Sequence, residues 1–188
     1  NTGRNTLAGA GTTTAAIVFG GTPGGKNETE LWDGSSWTEV SNLNTGRRQV
    51  GGVGTSTAGL AFGGGPGSKD ETEEWNGTSW TEQNDLNTAR HALAGSGIQT
   101  SALAFGGSTN RTESYDGTSW AETTDLSTSR SALGGSPAGT SATALAFAGT
   151  PPITAATEEW DFGSTLAAGA WASGGALNTA RAYTATVG

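Results

Sequence analysis

Apolar positions along the chain never hold a helical spacing. They come in runs of a few residues, broken by Gly, Asn, Asp, Ser and Thr. Four kinds of segment recur in a fixed order. The first is small and Gly-rich, as in Leu7–Gly11 or Val50–Gly54. The second is a compact apolar run closing on Gly-Gly, as in Ile17-Val18-Phe19-Gly20-Gly21. The third alternates polar and aromatic residues, as in Glu71-Thr72-Glu73-Glu74-Trp75, which is the period of two that a half-buried strand shows. The fourth starts on a second aromatic, as in Trp80-Thr81-Glu82. Asp33-Gly34, Asn76-Gly77 or Asp116-Gly117 separates the third from the fourth, and such dipeptides favour hairpin turns. Each unit therefore predicts four short antiparallel strands and no helix.

The unit repeats four times. Arg recurs at Arg4, Arg47, Arg90, Arg130 and Arg181, and Phe at Phe19, Phe62, Phe105 and Phe147. The first aromatic of each pair is Trp32, Trp75, Tyr115 and Trp160; the second is Trp37, Trp80, Trp120 and Trp171. A Glu precedes each pair, at Glu30, Glu73, Glu113 and Glu158. The chain reads as one array over 1–188, with repeats at about 1–43, 44–86, 87–126 and 127–177 and a terminal strand over 178–188. Four antiparallel strands in a repeat of this length describe the blade of an all-β propeller.

The Gly-Gly run, the Glu-x-Trp/Tyr step, the second Trp and the Leu-x-x-x-Arg connection together resemble the kelch repeat. The aromatic pair lies closer than is usual in kelch repeats in three units, and the fourth unit has Ala148-Gly149 for Gly-Gly and a longer Asp161–Ala170 stretch. The wording Thr-Glu-Glu-Trp-Asn-Gly-Thr-Ser-Trp-Thr-Glu also resembles repeats of uncharacterised marine phage and metagenome proteins, which implies a virion or extracellular surface setting. Kelch-like propellers usually have six or seven blades. Here five Arg-led first segments accompany only four copies of the rest, the fifth being Arg181–Val187. The expectation is an unfinished ring whose edges pair with a second copy, giving an eight-bladed homodimer. The rival is a self-closed ring of four.

Composition at first points elsewhere. Leu, Ile, Val and Phe number 25 of 188 residues, below the share of about 20% under which disorder is the default reading. The repeat reverses this. Gly and Ala make room where strands crowd, seven Trp and five Phe fill the wider parts, and about thirty Thr supply strand preference. A net charge of −8 and a pI near 4.5 leave no electrostatic footprint for nucleic acid or an anionic membrane. With no Cys there is no thiolate metal site and no cysteine nucleophile.

The Arg and Glu series recur in every unit, so both are read as scaffold: an Arg–Glu pair, or Arg on junction carbonyls. Glu39, Glu82 and Glu122 are read as solvated rim residues. His91 is the single His and lacks companions at ligand spacing, so no metal is expected. Paired carboxylates Glu73/Glu74 and Glu158/Glu159 are neighbours on strands and point to opposite faces, which is unsuitable for a glycosidase. No catalytic residue and no cofactor is expected. The segments that differ between units are Thr22–Asn27, Gly65–Asp70, Ser108–Asn110 and Thr150–Ala156. The expected function is a non-enzymatic structural or adhesive module that pairs with itself and contacts surface glycans or other virion proteins through these loops. The alternative is a lectin-like carbohydrate-binding module, and a glycan hydrolase follows behind.

Overall fold

The computed structural model describes residues 3–136, 139–162 and 169–181. Among these residues sixteen strands lie in four antiparallel sheets, each a simple meander drawn from one repeat. The first holds β1 (Ala8–Gly11), β2 (Ala16–Phe19), β3 (Thr29–Trp32) and β4 (Trp37–Val40). The second holds β5 (Gly51–Gly54), β6 (Gly59–Gly64), β7 (Lys69–Trp75) and β8 (Trp80–Glu82). The third holds β9 (Leu93–Ile98), β10 (Ser101–Gly106), β11 (Thr112–Tyr115) and β12 (Trp120–Glu122). The fourth holds β13 (Gly134–Gly135), β14 (Thr143–Phe147), β15 (Thr157–Asp161) and β16 (Ala170–Ser173). The array is all-β and propeller-like, with four blades. In every blade the two aromatics are cross-strand partners beside the hairpin turn: Trp32 with Trp37, Trp75 with Trp80, Tyr115 with Trp120, Trp160 with Trp171.

Alternation along the second strand of each blade divides its side chains between two neighbours. Ile17 and Phe19 point forward onto the second blade, Leu60 and Phe62 onto the third, Leu103 and Phe105 onto the fourth. Between them Ala61 and Ala104, like Ala146 of the fourth blade, are small, fully buried and face back, while Val18 of the first blade is only partly buried. Each forward Phe meets the second Trp of the next blade edge-on, with ring centroids 4.9 Å apart for Phe19–Trp80, 5.1 Å for Phe62–Trp120 and 4.9 Å for Phe105–Trp171. The Phe ring also demands a Gly on the innermost strand of that next blade. A Cβ at Gly52 would stand 2.7 Å from the Phe19 ring, and one at Gly95 2.6 Å from that of Phe62.

The hydrophobic interior is thus three interfaces, one between each pair of consecutive blades. Among the described residues no cluster joins the fourth blade to the first. Leu145, the counterpart of Ile17, Leu60 and Leu103, is 39% exposed, whereas those three are fully buried. Phe147 is only partly covered. At the other end Trp37 is 38% exposed, while Trp80 and Trp120 are buried. Among the described residues the four blades are joined by three interfaces, and the outer faces of the first and fourth blades differ. The strand expected beyond Arg181, and 163–168 of the long stretch in the fourth unit, lie outside the described residues.

Candidate functional site

The recurring Arg and Glu meet at the base of every blade. Arg47 sends one guanidinium nitrogen to the carbonyls of Gly63 (3.0 Å) and Glu71 (2.6 Å) and the other to Glu73 (2.7 Å). The second oxygen of Glu73 accepts from the amide and the side chain of Asn44, which opens the unit. Arg90 and Glu113, with Asn87, repeat this arrangement, and Arg4–Glu30 and Arg130–Glu158 make the same ion pair. Burial pushes the Arg47 and Arg90 guanidinium pKa down, and the facing Glu73 and Glu113 oppose that shift. The Asn-Thr-x-Arg wording is therefore a clip. It fixes the start of one blade to its second and third strands and consumes both charges. Arg181 departs from the series: it is exposed, and no Glu faces it among the described residues. Its backbone still makes the bonds of a junction, to Gly149 and Thr154.

Two cross-blade devices were not evident from the repeat. Trp80, Trp120 and Trp171 each donate their indole N–H to a Thr hydroxyl of the preceding blade, Thr29, Thr72 and Thr112, all at 3.0 Å. The signal was present, since Thr stands directly before Glu in every unit. The second device is a backbone ladder near the axis. The amide of Gln49 donates to the carbonyl of Thr6, that of Ala92 to Gln49 and that of Ala132 to Ala92. All four residues lie in the left-handed region, at φ of 50° to 56°, with no Gly to mark them. Ala148 is left-handed too, at φ 62°, where the other blades carry Gly.

The remaining candidates are dispersed. The His91 ring lies 3.2 Å from the Ser68 hydroxyl. Glu74 accepts from the Tyr115 hydroxyl (3.2 Å), and burial together with this carboxylate pushes the phenol pKa up. Glu39, Glu82 and Glu122 are exposed, Glu122 beside Arg111. Glu73 is buried and Glu74 is not, and Glu158 and Glu159 divide in the same way, so neither pair converges. Among the described residues no three His, Cys, Asp or Glu side chains could hold a metal ion.

The strand-three to strand-four turns have their own electrostatics. Asp33 accepts from the Ser35 hydroxyl and from the amides of Ser36 and Ser35, which lowers its pKa to about 2; Asp116 is lowered by the amides of Ser119 and Thr118. A depressed carboxylate contributes stability above its unfolded pKa of about 3.9, and that contribution fades as pH falls through about 2. In the second blade Asn76 makes the same two amide contacts without a charge, at 2.9 Å each. An Asp33→Asn variant is therefore expected to stay folded and to lose this part of its acid sensitivity. Carboxyl-carbon NMR titration of Asp33, with acid unfolding curves of both proteins, checks it.

Among the described residues are two depressions of about 260 Å³ each. One runs along the innermost strands past Leu7, Val50, Leu93 and Leu133. The other lies between the third and fourth blades, lined among others by Tyr115, Asp116, Ser141, Trp160 and the half-exposed Phe162. Both fall just under the range of about 300–1,000 Å³ usual for small-molecule sites. The four loops that vary between units all connect the second strand to the third, and each ends against the Arg that opens the next unit: Lys26 with Arg47, Lys69 with Arg90, Thr109 with Arg130 and Thr154 with Arg181. Their tips, including Pro23, Pro66, Ser108 and Ile153, are exposed.

Fold and junctions together define an all-β, propeller-like repeat protein. No family model and no curated protein matches the chain.

Proposed function

We propose that the chain is a non-enzymatic interaction module that assembles with copies of itself and displays its second-to-third-strand loops from one edge, in a virion or extracellular surface setting. The observation that carries this reading is how the repeated charges are used: Arg47, Arg90 and Arg130 are buried and clipped to Glu73, Glu113 and Glu158. What differs from blade to blade is left at the loop tips, where a rigid repeat scaffold places recognition. The likeness of the repeats to kelch repeats supports the same reading, since propellers commonly serve as interaction platforms.

A lectin-like role is the second reading, favoured by the depression in which aromatic Trp160 and Phe162 lie with polar Asp116 and Ser141. A glycan array probed with the full chain separates the two. The scaffold reading expects no saturable glycan signal, whereas a signal abolished by Phe162→Ala establishes the lectin reading. Turnover in an esterase and glycosidase screen overturns both.

A further inference from the structure

The outer faces of the first and fourth blades each carry part of the side-chain set that makes the three interfaces between consecutive blades. On the first blade, Trp37 is posed as its counterparts are: its ring lies 5.4 Å from Trp32, against 5.5 Å for Trp75–Trp80 and for Trp160–Trp171. Trp80, Trp120 and Trp171 each cover a Phe and donate to a Thr of the preceding blade. Trp37 has neither partner among the described residues. The fourth blade holds both missing parts. Among the described residues no Trp lies upon Phe147, and the buried hydroxyl of Thr157, counterpart of Thr29, Thr72 and Thr112, has no hydrogen-bond partner.

The seat for Phe147 is also in place. Gly52, Gly95 and Gly135 are Gly where the Phe rings of the preceding blades press in, at 2.7, 2.6 and 3.1 Å from a Cβ built there. Gly9 occupies the same position on β1, yet its nearest neighbours are the Ile17 carbonyl and Val18 of its own blade. Gly9 is thus the one of these four glycines with no Phe ring among the nearest neighbours of its Cβ position.

We infer that the occupant of each end face is a second copy of this chain, docked head to tail, with Trp37 of one copy on Phe147 and Thr157 of the other. The inference rests on the self-assembling part of the function proposed above and assigns its contact. Two such junctions related by a twofold axis close a ring of eight blades. Arg181 already makes the backbone bonds of a junction at this edge, as Arg47, Arg90 and Arg130 do between the blades of the chain.

The test is sedimentation equilibrium of the full chain and of Trp37→Ala, Leu145→Glu and Thr157→Val, each checked for folding by circular dichroism. Trp37 and Leu145 are more than one-third exposed, so their replacement is expected to leave the fold intact. Thr157→Val keeps the side-chain shape and removes only the acceptor. The expected result is a dimer for the parent chain, association at least tenfold weaker for each variant, and recovery on mixing Trp37→Ala with Leu145→Glu. That mixture restores one intact junction, the fourth blade coming from the first variant and the first blade from the second. A parent chain that stays monomeric at tens of micromolar overturns the inference together with self-assembly. A parent dimer that none of the three substitutions weakens overturns this contact alone and leaves self-assembly standing.

Discussion

Glu113→Ala is expected to cost about 3–5 kcal/mol, the range for breaking a buried ion pair by removing one partner. That is a large fraction of the 5–15 kcal/mol by which domains are usually stable. Three groups lose their acceptor at once: the Arg90 guanidinium at 2.7 Å, the Asn87 amide at 2.7 Å and the Asn87 side chain at 2.9 Å. Arg90 is almost wholly buried, and its Nε already lacks a partner, so the positive charge left behind has no route to water. Removing both charges, as in Arg90→Met with Glu113→Leu, is expected to recover part of the loss but not all of it. The Gly106 carbonyl and the Asn87 amide would still be without their partners, and the Arg111 carbonyl would keep only the Gly106 amide. Glu122→Ala is the control: its pairing with Arg111 is exposed, and such pairs contribute about 0–1 kcal/mol. Urea unfolding midpoints of the four proteins measure the series.

That contrast between Glu113 and Glu122 shows what the sequence could convey. Both recur, and both lie on strands near an aromatic, but only Glu113 has an Arg and an Asn-Thr-x-Arg clip recurring in step with it. Repetition in phase thus pointed either to an Arg–Glu pair or to Arg on junction carbonyls, and Arg90 makes both contacts. Strands and hairpins were legible for a local reason, since a period of two and an Asp-Gly or Asn-Gly dipeptide act within a few residues. Contacts between blades were not. Trp80 reaches Thr29 across 51 residues and Trp171 reaches Thr112 across 59, and nothing in the wording of either residue says that the bond leaves its own blade. The left-handed turn at Gln49, Ala92 and Ala132 was hidden because no Gly occupies it. The blade-to-blade ladder holds that conformation, which residue preference does not favour. The difference between Trp37 and its three counterparts was invisible for the same reason. Equal residues in equal repeats differ only in what stands beside them.

Trp120→Ala and Trp37→Ala turn that difference into a measurement. Trp120 is buried, packs on Phe62 at 5.1 Å and on Tyr115 at 4.9 Å, and satisfies the Thr72 hydroxyl. Its truncation opens a cavity between two blades and orphans a buried polar group, for an expected loss of about 3–5 kcal/mol. Trp37 makes the in-blade contact with Trp32 but covers no Phe, so at submicromolar concentration its truncation is expected to cost only about 1 kcal/mol, the size of one aromatic pair. The same residue type at the same place in the repeat should thus differ several-fold in cost. Concentration is the variable that links this contrast to docking, because whatever binds only the folded chain raises its apparent stability by mass action. If the end faces dock as inferred, the melting temperature of the parent chain rises with protein concentration and that of Trp37→Ala does not. The cost of losing Trp37 then climbs toward that of losing Trp120 as the chain assembles. Melting curves taken across a hundredfold range of concentration read both effects, and equal costs for the two substitutions under dilute conditions would show that Trp37 is already covered within a single chain.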